Sequence, residues 1–104
     1  MSVVSVYAIF ANADEAERIG RDVVEQRLAA CINILGPVRS IYRWKGEVET
    51  ADETAAIFKT TAESADALIV RIAALHSYDV PCVVALPLDK VLQPYALWVE
   101  DSVG

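Results

Sequence analysis

Two stretches of helical periodicity separate strand-like runs in this chain, and their order leaves few folds open. Val3 to Phe10 is mostly apolar and rich in β-branched and aromatic residues, as in a strand covered on both faces. Asn12 then stands in a helix N-cap position, with Glu15 three residues on where a capping box places its acid. Ala16, Ile19, Val23, Val24 and Leu28 recur at helical spacing, and Glu17, Arg18, Arg21, Asp22 and Glu25 mark the opposite face. Ile32 to Trp44 reads as a second strand, bent or bulged at Gly36-Pro37. Lys45-Gly46 is a two-residue hairpin turn, because Gly46 tolerates the positive φ that tight hairpins require. Glu47 to Thr60 returns as a third strand, with an irregular start expected over the polar run Glu49 to Glu53. The adjacent apolar pair Ile57 and Phe58 implies cover on both faces there.

Thr61 to Leu75 carries a second apolar stripe, Ala65, Leu68, Ile72 and Leu75. Tyr78-Asp79-Val80-Pro81 ends that helix, since a residue before proline avoids helical geometry. Val83 to Leu88 is a fourth strand, and Pro94 suits the first turn of a terminal helix anchored by Leu97 and Trp98. The pattern is βαββαβ plus one helix, with no linker or low-complexity segment. It predicts one α+β domain over residues 1–104: a ferredoxin-like βαββαβ sandwich with a long β-hairpin and a C-terminal helix. In that topology the first two strands run one way and the last two the other. Cys31 and Cys82 then fall at opposite ends of the two outer strands. An intrachain disulfide or a two-cysteine metal site within one chain is not expected.

Hydrophobic residues make up 55% of 104 residues, more apolar surface than a domain of this size can bury alone. The surplus predicts a subunit interface. The sheet edges carry no dense lysines, and the hairpin from Val38 to Thr60 is too long for a small sheet to cover. Edge-to-edge pairing between copies is the natural outcome, and head-to-tail pairing must close into a ring to avoid a filament. No apolar run approaches the roughly 20 residues of a membrane-spanning helix. Met1-Ser2-Val3-Val4 has no basic region and leads directly into strand-like sequence, so no signal peptide is expected. Two cysteines without an export signal suggest reduced thiols and a cytoplasmic location. A net charge of −6 argues against nucleic-acid binding, which needs a basic face.

Leu28-Ala29-Ala30-Cys31-Ile32-Asn33 and Ser40-Ile41-Tyr42-Arg43-Trp44-Lys45-Gly46 resemble the signature of the CutA family, the divalent-cation tolerance proteins. The resemblance continues through Ile57-Phe58-Lys59-Thr60-Thr61 and Leu75-His76-Ser77-Tyr78-Asp79-Val80-Pro81 to Tyr95 and Trp98. It implies a PII-like architecture, assembly as a homotrimer, and a part in tolerance of divalent metals, copper above all. Where the family pattern reads His-Pro-Tyr-Glu-Val-Pro-Glu, this chain has Ser77, Asp79 and Cys82 in place of the first proline and the two acids.

Three residues are candidate soft-metal ligands for copper or zinc: Cys31, His76 and Cys82. Each has a structural alternative. Cys31 can be a small core residue, and Cys82 the interior of a strand with Val83 and Val84. His76 can serve the C-terminus of a helix. A site built from all three needs more than one chain. Tyr42, Trp44, Glu53, Lys59 and Tyr78 form a second group. Tyr42 and Trp44 share one strand face and can pack across the hairpin. With Glu53 and Lys59 they can instead line an intersubunit cleft for a small anion or nucleotide, as in PII-like trimers. No nucleophile–base pair or Gly-x-Ser-x-Gly context occurs, so the expectation is not an enzyme but a metal-binding protein, a small-ligand sensor or an assembly scaffold.

Overall fold

The computed structural model describes residues 2–104. The elements are β1 (Val3–Phe10), α1 (Ala13–Glu25), β2 (Cys31–Trp44), β3 (Glu47–Thr61), α2 (Ala62–Leu75), β4 (Val83–Pro87) and α3 (Gln93–Ser102). Their antiparallel sheet has the order β2-β3-β1-β4, the ferredoxin-like arrangement read from the sequence. Alternation decides which residues form the core. Val4, Val6, Ala8 and Phe10 of β1 and Ala56 and Phe58 of β3 meet Ala16, Ile19 and Val23 of α1 and Ala65, Leu68 and Ile72 of α2. A smaller cluster of Val3, Ala30 and Val99 lies under α3.

Helix α1 begins as expected: the Glu15 amide donates to the Asn12 Oδ1 at 2.8 Å. The Glu15 carboxylate reaches one residue beyond a standard capping box, accepting the Ala11 N–H at 2.9 Å. The helix stops earlier than its apolar stripe because Arg27 adopts φ +60°, and Leu28 lies outside it. There the Leu28 carbonyl accepts the buried Thr60 hydroxyl at 2.7 Å, tying the end of α1 to β3. Gly20 faces Ile32 so closely that a Cβ would come within 2.6 Å of that side chain, which is how α1 settles onto β2.

The bulge lies where Gly36-Pro37 places it, with the β2–β3 register shifting between Ile34 and Gly36 and φ +114° at Gly36. Three local expectations are corrected. Glu49 to Glu53 is regular strand, because every residue from Glu47 to Glu53 has a partner on β2. Leu97 and Trp98 do not anchor α3 within the chain: they are 54% and 47% exposed, whereas Val99 is fully buried and Tyr95 and Ala96 pack beside it. Cys82 precedes β4 and is exposed, so it is not strand interior.

The hairpin positions the site. β1 pairs with β3 only from Thr54 to Thr61, so beyond Thr54 the strands β2 and β3 continue as an unsupported two-stranded arm. The arm makes the molecule long, 44 × 26 × 22 Å. It exposes apolar side chains, Ile41 at 71% among them. No helix among the described residues is long and apolar enough to cross a membrane.

Candidate functional site

Along the arm, from its root toward the turn, a cleft of about 490 Å³ opens between the hairpin and the loop that follows α2. β2 contributes Ser40, Tyr42 and Trp44, alternate residues on one face. Glu53 comes from β3, and the loop supplies Tyr78, Asp79 and Cys82.

Partly buried polar bonds fix this loop. The Glu15 carboxylate accepts the Ser77 N–H at 2.9 Å with its second oxygen, joining the start of α1 to the end of α2. The His76 side chain is buried, stacked on Phe10 at 5.2 Å and flanked by Tyr78 at 4.7 Å. Its Nε2–H donates to the Ile9 carbonyl at 2.7 Å, which leaves Nδ1 to accept the Tyr78 N–H at 3.1 Å. Tyr78 is thereby aimed across the cleft, and its hydroxyl donates to Glu53 Oε2 at 2.7 Å. Burial, and then the hydrogen bond to the Glu53 carboxylate, push the Tyr78 phenol well above its ordinary range, so it stays a donor.

Burial pushes the Glu15 carboxyl up, but hydrogen bonds from Ser77 and Ala11 outweigh it, and its pKa lies below the ordinary 4.5. The stabilisation is therefore complete above that value and is lost as pH falls through the lowered folded-state pKa. Glu15→Gln is expected to cost about 1–2 kcal/mol at pH 7. The gap from the parent protein should shrink as both are taken well below pH 4.5, a comparison that urea unfolding at the two pH values makes directly.

Of the residues singled out in the sequence, Tyr42, Trp44, Glu53, Tyr78 and Cys82 come together in this cleft. Lys59 does not join them within the chain. It lies six positions along β3 from Glu53, roughly 20 Å away, and its Nζ donates to Asn33 Oδ1 at 3.1 Å. Cys31 sits opposite Lys59 on β2, half-buried, with its Sγ 3.7 Å from the Tyr95 hydroxyl. Burial and that sulfur contact push the Tyr95 phenol up to about 12. Cys82 is adjacent to Ile9 at the other end of the sheet and on its other edge, which puts the two thiols roughly 20 Å apart. His76 has committed both ring nitrogens to backbone groups. Cys31, His76 and Cys82 therefore do not form a metal site within one chain, and no cluster of three or more His, Cys, Asp or Glu suited to a metal occurs among the described residues. Ser40 and Asp79 were missed as cleft residues. The period of two running back from Trp44 and Tyr42 already places Ser40 on their face.

The family model described as "CutA1 divalent ion tolerance protein" matches residues 4–102. The chain is 42% identical to the divalent-cation tolerance protein CutA of Thermotoga maritima, across 97% of this chain and 99% of that one. It superposes on the crystal structure of CutA from Xylella fastidiosa with a TM-score of 0.96 at 34% identity, over the full length of both chains. The periplasmic divalent cation tolerance protein CutA from Archaeoglobus fulgidus gives a TM-score of 0.94 at 35% identity, covering 98% and 99% of the two chains. Matched along almost its whole length in both sequence and fold, the chain belongs to the CutA1 family of divalent ion tolerance proteins.

Proposed function

We propose that this chain contributes to divalent-cation tolerance or response as a closed ring of three copies, taking up copper or zinc as cargo at sites completed between copies. The arm carries this reading. A two-stranded ribbon is marginal by itself, and this one exposes Ile41 and Val48 in the absence of a third strand. The outer strands β2 and β4 likewise expose Ile34, Leu35, Val84 and Leu86. Apolar edges of this kind are satisfied by pairing with further copies, and a ring leaves none over.

For the cargo, Cys82 is the exposed thiol, and sulfur suits copper(I) or zinc. The remaining ligands would come from a neighbouring copy. A binding role fits better than catalysis, since the chain's one histidine is held by backbone groups and is not free to act as a general base. Reduced thiols favour the cytoplasm as the place of action.

Native mass spectrometry of the reduced protein during copper(I) and zinc titration tests both halves. The expected spectrum is a trimer that takes up metal in multiples of three and loses that uptake in Cys82→Ser. A monomer would overturn the ring. A trimer that stays empty would overturn the cargo.

A further inference from the structure

We infer that the cleft along the arm is a binding site for a small organic ammonium ion, held at its root by Glu53 and the rings of Tyr42 and Tyr78, with Trp44 at its outer end. The ammonium site requires neither a bound metal nor the ring, although Cys82 lines the same cleft.

The sign of the site comes from where its charges lie. With Lys59 at the far end of β3, no lysine or arginine lines the cleft, and the nearest cation on the arm is Lys45, beside Trp44 at its outer end. Carboxylates surround it instead. Glu53 lines it, Asp79 stands at the loop, and Glu49 and Glu47 lie directly opposite Tyr42 and Trp44 on the same face of the arm.

Glu53 is the decisive group. The residue is only 9% exposed, and its carboxylate receives the Tyr78 hydroxyl. Among the described residues no lysine, arginine or histidine nitrogen lies within 4.0 Å of it. One Glu53 oxygen is held by Tyr78 and the other has no donor from the chain and remains open to solvent, so a cation in the cleft can pair with it directly.

The walls select the kind of cation. A hard metal ion demands about six oxygen ligands, and the cleft offers one buried carboxylate. A weakly hydrated alkylammonium is served by aromatic faces together with a single negative charge. Three rings line this cleft, and the arm shows the attraction at work: the Lys45 ammonium lies 5.9 Å from the Trp44 ring centroid. A volume of about 490 Å³ admits a ligand larger than a bare ion and falls within the ordinary range of small-molecule sites.

Choline, with 3,3-dimethylbutan-1-ol as its uncharged isostere, is the probe pair for isothermal calorimetry and for Trp44 fluorescence in a Trp98→Phe background. Choline is expected to bind at least about tenfold more tightly than the alcohol. Glu53→Gln keeps an acceptor for Tyr78 and removes the charge, and should weaken choline at least about tenfold. Tyr42→Leu, on the projecting arm and outside the core, should weaken it too without loss of fold by circular dichroism. Choline binding should persist in chelator-treated protein, where no metal is taken up, so the two readings fail separately. Equal binding of choline and the alcohol would overturn the inference, as would no binding of choline. So would a change in native oligomer mass in Glu53→Gln without choline binding, which would give the cleft to a neighbouring copy.

Discussion

Phe58→Ala is expected to destabilise the protein by about 3–5 kcal/mol. Phe58 is fully buried on β3, one of the two central strands, directly between Ile32 on β2 and Val6 on β1. Its ring lies 6.2 Å from that of Phe10 at a tilt of 59°, a favourable edge-inclined pair that the substitution also removes. Strands in a four-stranded sheet cannot close a gap of this size without breaking the registers on both sides, so the cavity term is retained. Urea unfolding at matched protein concentration measures the loss, since any association of copies would make the midpoint concentration-dependent. A cost below about 1 kcal/mol would mean that the two-helix face of the sheet is not the main core.

His76→Ala is expected to cost about 3 kcal/mol or more. The substitution removes a ring stacked on Phe10 and leaves two backbone groups, the Ile9 carbonyl and the Tyr78 N–H, without their partners. An unsatisfied buried polar group costs about 1–3 kcal/mol, and the lost packing adds to it. The loss should be equally large in chelator-treated protein, because the bonds that His76 makes are to the chain itself. A variant that is destabilised only when metal is present would make His76 a ligand and not a strut. The effect should also reach the cleft. His76 sets the backbone of Tyr78, so the Tyr78–Glu53 bond should weaken in the variant, with a corresponding change in Trp44 fluorescence.

The strand and helix order was legible because each element carries its own period, and the bulge because glycine and proline interrupt an otherwise apolar run. The errors lie where tertiary pairing overrides local character. Glu49 to Glu53 reads as irregular by polarity, yet a ladder needs only backbone groups and a partner strand. Leu97 and Trp98 read as anchors by size, whereas α3 turns Val99 inward. For the site, four of the five residues grouped in the sequence as a cleft do meet: Tyr42, Trp44, Glu53 and Tyr78. Lys59 was grouped with Glu53 as a polar pair on one strand. Only the distance between them along β3 separates them, and with it the sign of the cleft. His76 was ambiguous because a buried imidazole and a metal-bound one have the same sequence signature. The carbonyl of Ile9 decides between them, and it is sixty-seven positions away in the chain.

The arm's alternation also limits how the chain can vary in length. Tyr42 and Trp44 look into the cleft while Ile41 and Arg43 look away from it. Loss of one residue between Pro37 and Tyr42 would exchange the two sets, carrying the rings out and a guanidinium in. Loss of two, matched by two on the returning strand, would shorten the ribbon and leave its inner face chemically the same. Insertions and deletions here are therefore quantised in pairs, and natural length variants of the arm should differ by even steps on each strand.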